Sequence, residues 1–412
     1  MVGRVSINRY NRKEDFLLSR LASLYFIVMV ANYSLKTYFK QMPNIVSMIN
    51  TVMMGILVVT MFSSLIKVYK GNKGIILNSY FLFGLLLLVG CLLNANNGYS
   101  NDVIIRENAV WNLALWIPLG CIVCAIQDKT ILYKHVFYAS FIIDLFLAFS
   151  FFTREVYTEY GLVSYNMSFG TYSLLPILLH INEFLKTKNK ILLILLLLEL
   201  YAVLVYGNRG IFLSIAFFFF AYYVIANRNN RKSVFFVVTI TLLFIILVFL
   251  GDYLLDLIAS ANIESRTIQM LLSGNLAEST ERDELRKITM DMIKESPIIG
   301  WGFGGEYYEI AKRYGGAITG VNSYFNPHNG ILQNLVEFGI FLGMFATILL
   351  VVPLFKIRRI KEGALKDLLV IFGASAIIPK LISAAGFFTH PEVAVFVYLY
   401  YFRNRFGKVD VS

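Results

Sequence analysis

Three cysteines and four histidines in 412 residues leave little material for a disulfide framework or a metal cluster. Cys121 and Cys124 stand as C-x-x-C, but within the apolar run WIPLGCIVCAI. A thiol there lacks the exposed, electropositive setting that redox chemistry needs, so core packing is the expected role. No cysteine–histidine spacing suits zinc. Charge is also sparse: Asp, Glu, Lys and Arg make up 15% of the chain, hydrophobic residues 58%, and mean hydropathy is +0.66. That balance excludes a soluble domain. Internal repeats and low-complexity tracts are lacking as well, which weighs against a transporter built on inverted repeats.

What is abundant is apolar length. Stretches of roughly 17–25 residues, enough to cross a bilayer as helix, recur along the chain. They predict an all-α polytopic membrane protein of about twelve transmembrane helices, near 21–39, 45–66, 75–94, 109–126, 136–152, 165–182, 190–206, 210–226, 233–251, 330–355, 366–383 and 386–402. The basic opening MVGRVSINRYNRKEDFLLSR has no small-residue cleavage site, so the first span reads as a retained signal anchor. Three regions follow: a membrane bundle of about nine helices over 1–251, an external loop with an amphipathic helix over 252–329, and about three membrane helices over 330–412.

Lys and Arg set the orientation. The N-terminus and alternate loops hold 23 of them, against six (Lys36, Lys40, Arg106, Arg154, Arg209 and Lys380) in the short loops of the other side. Positive loops stay cytoplasmic, so both termini are expected in the cytoplasm and the 252–329 loop on the periplasmic or outer face of the cytoplasmic (inner) membrane. The net charge of +11 then reflects topology and calls for no nucleic-acid partner.

The external loop holds STERDELRKITMDMIKESPIIGWGFGG. Thr280 and Asp283 resemble an N-terminal capping pair, and Pro297 with the following glycines ends the helix. Leu285, Thr289, Met292 and Ile293 share one face at helical spacing, which a surface helix turns to lipid or to the bundle. Arg282 falls on that face, with Arg286 on its flank. A second arginine, Arg209, sits in the tight external turn of VLVYGNRGIFL. His328 stands in NPHNGILQNLVEFGI, where the polar loop meets an apolar run. Each has an ordinary reading: interfacial anchoring for the arginines, a helix cap for the histidine. Topology nevertheless puts all three at one membrane face. Two guanidiniums can hold a pyrophosphate and the charge that grows as it leaves. An imidazole can take the proton of an attacking sugar hydroxyl. Such chemistry needs no metal and no cofactor, since the arginines replace the cation.

These stretches together resemble the bacterial O-antigen ligase and O-antigen polymerase superfamily, polytopic enzymes with one large periplasmic loop late in the chain. The likeness is most specific from 265 to 340, in the Arg, Pro-x-x-Gly-x-Gly and His-Asn…Glu-x-Gly signatures, and in GNRGIFL. It implies a C-type glycosyltransferase-like enzyme that works without metal on an undecaprenyl-pyrophosphate-linked oligosaccharide. Arg209 and Arg282 would bind the pyrophosphate and His328 would activate the acceptor glycan. Arg286, Arg266, Asn329, Glu337 and His390 would support the site, with polysaccharide assembly proteins as further partners. Phe303 and Tyr307–Tyr308 make the glycine turn more aromatic than the family pattern, which bears on sugar contact. The function expected first is polymerisation of O-antigen or capsular repeat units; the alternatives are ligation of glycan to lipid A core or to a protein hydroxyl, and a lipid-linked glycan flippase.

Other polar residues lie apart from this group. Asp144 and Glu199 fall within the fifth and seventh spans, as helix–helix contacts or part of a glycan channel. His135 and His180 are expected toward the cytoplasm, outside any external site. Glu337 is out of phase with His328 and is expected to pack within the bundle. His390 near Glu392 is the alternative base.

Overall fold

The computed structural model describes residues 12–71, 73–96, 98, 101, 112–153, 167–206, 209–226, 280–314, 327–361, 363–382 and 391–402. The expected ninth span, residues 252–279 with Arg266, and His390 lie outside them, as does the side chain of Arg209. Every regular element among the described residues is helical. In chain order these are α1 (Arg12–Tyr38), α2 (Pro43–Gly71), α3 (Lys73–Asn96), α4 (Ile117–Ala125, entered through a π-helical turn, Asn112–Trp116) and α5 (Lys129–Phe152). Next come α6 (Met167–Thr187), α7 (Lys190–Val205) and α8 (Arg209–Phe220, extended by a π-helical turn, Ala221–Ala226). After these stand α9 (Thr280–Glu295), α10 (Glu306–Arg313) and α11 (Gly330–Lys356). The last are α12 (Ala364–Phe372), α13 (Ile378–Ile382, joined to α12 through the π-helical segment Gly373–Ile377) and α14 (Pro391–Tyr401).

Among the described residues four helices are long and apolar enough to cross a bilayer, Lys13–Tyr38, Pro43–Tyr69, Lys73–Asn96 and Lys129–Phe152, and a fifth stretch, Gly330–Arg359, has the length and composition but is interrupted at Gly339. Their outer faces are apolar. On α2 the exposed residues Val52, Ile56, Val59, Phe62 and Ile66 recur at helical spacing, and on α7 so do Ile194, Leu197, Leu198 and Tyr201. Exposed apolar stripes of this extent belong against lipid, and the chain is a multi-pass membrane protein.

The short helix α4 is wholly enclosed. All residues of α4 are buried, as expected of a helix that is hydrophobic all round; α1, α2 and α14 pack on it. Cys121 and Cys124 belong to this core. Polar contacts tie several loops together at one end of the bundle. Asp15 accepts from the Gln127 and Asp128 amides (2.9 and 3.0 Å), Tyr133 donates to Glu183 (2.9 Å), and Lys186 pairs with Asp367 (2.6 Å). These are the loops in which lysine and arginine concentrate.

α11 corrects the expectation of an unbroken span over 330–355. At Gly339 the backbone leaves the helix with φ 73° and ψ 174°. The chain folds back there, so that Asn334 donates to Thr347 (3.0 Å) and Gly343 lies against the Asn334 backbone. The first half, 330–338, is a separate short helix; the second, 340–356, is the apolar limb, with Phe341, Leu342, Phe345 and Ile348 exposed.

The break is occupied by another piece of chain. The turn Pro297–Gly305 docks into it, with Trp301 N donating to Val336 O (2.8 Å), Gly302 N to Glu337 O (2.9 Å) and Ile340 N to Pro297 O (2.7 Å). The helical carbonyls and amides opened at Gly339 are thus satisfied by the loop, as buried backbone requires. Space is the reason for glycine. A Cβ on Gly339 would meet Ile298 O at 2.2 Å, and one on Gly300 would meet Glu337 O at 2.5 Å, both at positive φ. Gly339→Ala is therefore expected to destabilise the protein by roughly 2–4 kcal/mol, the sum of left-handed strain and overpacking. Gly84→Ala, with nothing within 4 Å of the added carbon, is the control. Thermal unfolding in detergent should show a clear loss for the first and none for the second; equal midpoints would refute the docking account.

Candidate functional site

The α9 sequence buries one face: Leu285, Thr289, Met292 and Ile293. Sequence alone directs that face to lipid or to the transmembrane bundle. In the structure it turns instead to α10 and the 330–338 half of α11, where Leu285, Met292 and Ile293 cluster with Ile310 and Val336 under Trp301, Leu332 and Leu335. A small helical unit results, with its own apolar centre, at the junction of loop and membrane limb.

Trp301 sets the direction of the two principal helices. Its indole donates to Met292 O (3.1 Å), near the end of α9, and its amide to Val336 O, near the end of the 330–338 helix. Both helices therefore lead toward Trp301. Arg282 lies in the first turn of α9, and His328 immediately precedes the start of the other helix. Both side chains are half-buried. Arg286, one turn on from Arg282, meets Asp283 at 3.4 Å.

His328 is not the helix cap. That role is filled by Asn329, whose Oδ1 accepts from the Ile331 and Leu332 amides (3.0 Å each). His328 stands one residue earlier with φ 47°, in the left-handed region that non-glycine residues seldom occupy. Such backbone persists where surrounding structure imposes it, and it clusters at ligand-binding positions. Pro327, buried before it, limits how the loop can relax.

Glu337 lies on the inner side of this helix and not beside His328. Gln333 donates through Nε2 to both Glu337 Oε1 (2.9 Å) and Glu306 Oε1 (3.2 Å), and all three side chains are buried. Sequence reading anticipated the packing of Glu337 but missed Glu306, which sits in the first turn of α10 and carries no local signal of burial. Burial, followed by the nearby Glu337 charge, holds the Glu306 carboxyl well above the usual carboxylate range. The native state thus keeps a proton that the unfolded chain releases. Stability from this group is full in acid and declines as pH rises from the ordinary glutamate range toward the raised native value. Glu306→Gln, which keeps the shape without the charge, should flatten that decline and unfold at higher temperature near pH 8. An unchanged pH slope in the variant would show that Glu306 is ionised at no cost.

The aromatic residues of the glycine turn are packing residues. Phe303 is buried edge-on to Phe83 of α3 and stacks on Phe338, while Gly302 approaches Gly90. Tyr307 and Tyr308 are buried too. The Phe303 contacts anchor the turn to the bundle. Arg313, unremarked in the sequence, is also structural: it forks onto Glu295 (2.7 and 2.5 Å), reaches Glu309 (2.6 Å) and lies over Trp301.

Two further histidines have defined partners. His135 donates through Nδ1 to Ile131 O (2.9 Å) on its own helix and lies edge-on to Phe16. His180 joins Asp144 and Glu199, a grouping that one-dimensional reading did not assemble; this is the group of His, Cys, Asp and Glu side chains among the described residues that could hold a metal.

Comparison with known proteins bears on the same stretch. Residues 192–348, under half of the chain, match the family described as O-antigen ligase. A search of curated proteins finds no match. The matched segment runs from α7 through the first half of α11 into its apolar limb, so it contains Arg209, Arg282 and His328 together.

Proposed function

We propose, from the match of residues 192–348 to the family described as O-antigen ligase, that the chain is a membrane glycosyltransferase that uses an undecaprenyl-pyrophosphate-linked glycan as donor, and that it joins repeat units of O-antigen or capsular polysaccharide at the outer face of the cytoplasmic membrane. The observation that carries the reading is the family match over residues 192–348, the stretch that contains Arg209, Arg282 and His328. In the proposed reaction an acceptor sugar hydroxyl attacks the anomeric carbon of the donor. His328 takes the hydroxyl proton as the new glycosidic bond forms. The bond to the pyrophosphate breaks, and Arg209 and Arg282 hold the charge that develops on the leaving oxygen. Arg286, Arg266 and His390 are the further candidates around the donor, and Asn329 positions His328 by fixing the helix start.

Ligation to lipid A core or to a protein hydroxyl is the second reading, favoured by the description of the matching family. Donor chemistry is common to both; the acceptor differs. A deletion strain decides between them by its surface-glycan bands. Loss of long chains with one attached repeat retained supports polymerisation, whereas loss of all attached glycan supports ligation. The orientation has its own test. Cysteines placed at 275 and 188 and exposed to a membrane-impermeant maleimide in outer-permeabilised cells should label at 275 alone; label at 188 and none at 275 reverses every assignment above.

A further inference from the structure

We propose that Asp144, His180 and Glu199 form a divalent metal site of the zinc class within the membrane bundle, clamping α5, α6 and α7 together. Hydrogen-bond accounting leads there. Ser140 has one hydroxyl hydrogen, and it donates to Phe137 O (2.6 Å). The same oxygen lies 2.8 Å from His180 Nε2, so it accepts there and Nε2 carries the ring proton. His180 Nδ1 is left with its lone pair pointing at Glu199 Oε1 (2.8 Å), with Asp144 Oδ2 at 3.8 Å. A lone pair facing a carboxylate is repulsive unless a cation lies between them.

Three features favour a metal ion over a proton as that cation. A proton bridges two atoms, but three donors converge here, all within 4.8 Å of one another. Tetrahedral zinc with bonds of about 2.0–2.1 Å separates its ligand atoms by roughly 3.3 Å, and the distances of 2.8 and 3.8 Å bracket that value. Second, Asp144 Oδ2 and Glu199 Oε2 are buried without a hydrogen-bond partner among the described residues, and the Glu199 side chain is only 8% exposed. Unsatisfied carboxylate oxygens in an apolar interior are expensive, and coordination satisfies them. Third, the Ser140 contact is the outer hydrogen bond that usually orients a metal-bound imidazole. Charge agrees as well: one divalent ion, two carboxylates and a neutral histidine sum to zero, the net charge that costs least in a membrane interior.

The site is structural and separate from glycan transfer. Glu199 lies six residues before the end of α7 at Val205, roughly 9 Å along the helix, and Arg209 begins the next helix beyond that end. Between them Tyr206 stacks on Phe169 (ring centroids 4.1 Å apart) and donates to Ser150 O (3.1 Å). Fixing Glu199 against α5 and α6 thus steadies the hairpin that presents Arg209.

The test is elemental analysis of the full chain, purified in detergent with a tag free of histidine from cells grown with added zinc. Wild type should carry about one zinc-class ion per chain. His180→Ala should carry roughly a tenth or less, and Glu199→Gln and Asp144→Asn, which keep side-chain volume, should fall to the same level while eluting as folded protein. His328→Gln should retain the ion, which separates this site from the proposed transfer site. Metal-free wild type, or equal metal in wild type and in Glu199→Gln, overturns the proposal and leaves the cluster joined by protons alone.

Discussion

His328→Gln and His328→Asn should both lose nearly all glycan transfer, by roughly 100–10,000-fold, the usual worth of a positioned general base. Both substitutions keep a hydrogen-bonding side chain, so a purely structural histidine would tolerate them. The structure sharpens that contrast. Asn329 already caps the helix with two amide bonds, so the cap survives either change, and asparagine adopts the φ of 47° at position 328 more readily than most residues. Loss of activity in His328→Asn would therefore not be a folding defect. The same base must be neutral to accept a proton. Wild-type transfer should accordingly fall on the acid side as the imidazole is protonated, and donor binding should persist in both variants because the arginines remain. The measurement is transfer by purified enzyme supplied with lipid-linked donor and acceptor, with donor binding followed separately. A fully active His328→Gln enzyme would return His328 to a structural role and make His390 the candidate base.

Local pattern carried some of this architecture and contacts carried the rest. The span of α9 was legible because its signals are local: a threonine that begins it, apolar residues at helical spacing, and a proline that stops it. The partner of its apolar face was not legible, since amphipathicity shows that a face must be covered without saying by what. The break at Gly339 was hidden for a related reason. A lone glycine in an apolar run is tolerated in a continuous membrane helix; here the run is interrupted because a turn forty residues upstream fills the opening with its own amides. Phe303 illustrates the same limit. Its aromatic ring suggested ligand contact in one dimension and became a wedge against α3 in three. His180, Asp144 and Glu199 each looked like an isolated polar residue in an apolar helix, and only the packing of three helices joins them. Burial of Glu306 has the same origin, because Gln333 and Glu337 approach it from another helix.

Arg282→Ala should reduce transfer by roughly 100–1000-fold, as removal of one donor to a developing anion does, and Arg209→Ala should do the same. The two arginines are placed by different elements: Arg282 by the first turn of α9, whose buried face fixes the helix against 330–338, and Arg209 by the first residue of α8, which packs against α6. Protein level and membrane insertion should be unchanged in both variants. Lysine should restore little at either site, because a point charge lacks the planar fork that grips two phosphate oxygens. The double alanine variant adds a further check. If both arginines hold one pyrophosphate, the second substitution should cost less than the first, since the clamp is already open; independent sites would give multiplicative losses. Donor affinity distinguishes the clamp from a steric effect, and it should weaken with the arginine variants while staying near wild type in His328→Gln. Full transfer by Arg282→Ala at normal protein level would remove that arginine from the site and leave Arg286, one turn along the same helix, as the residue to test.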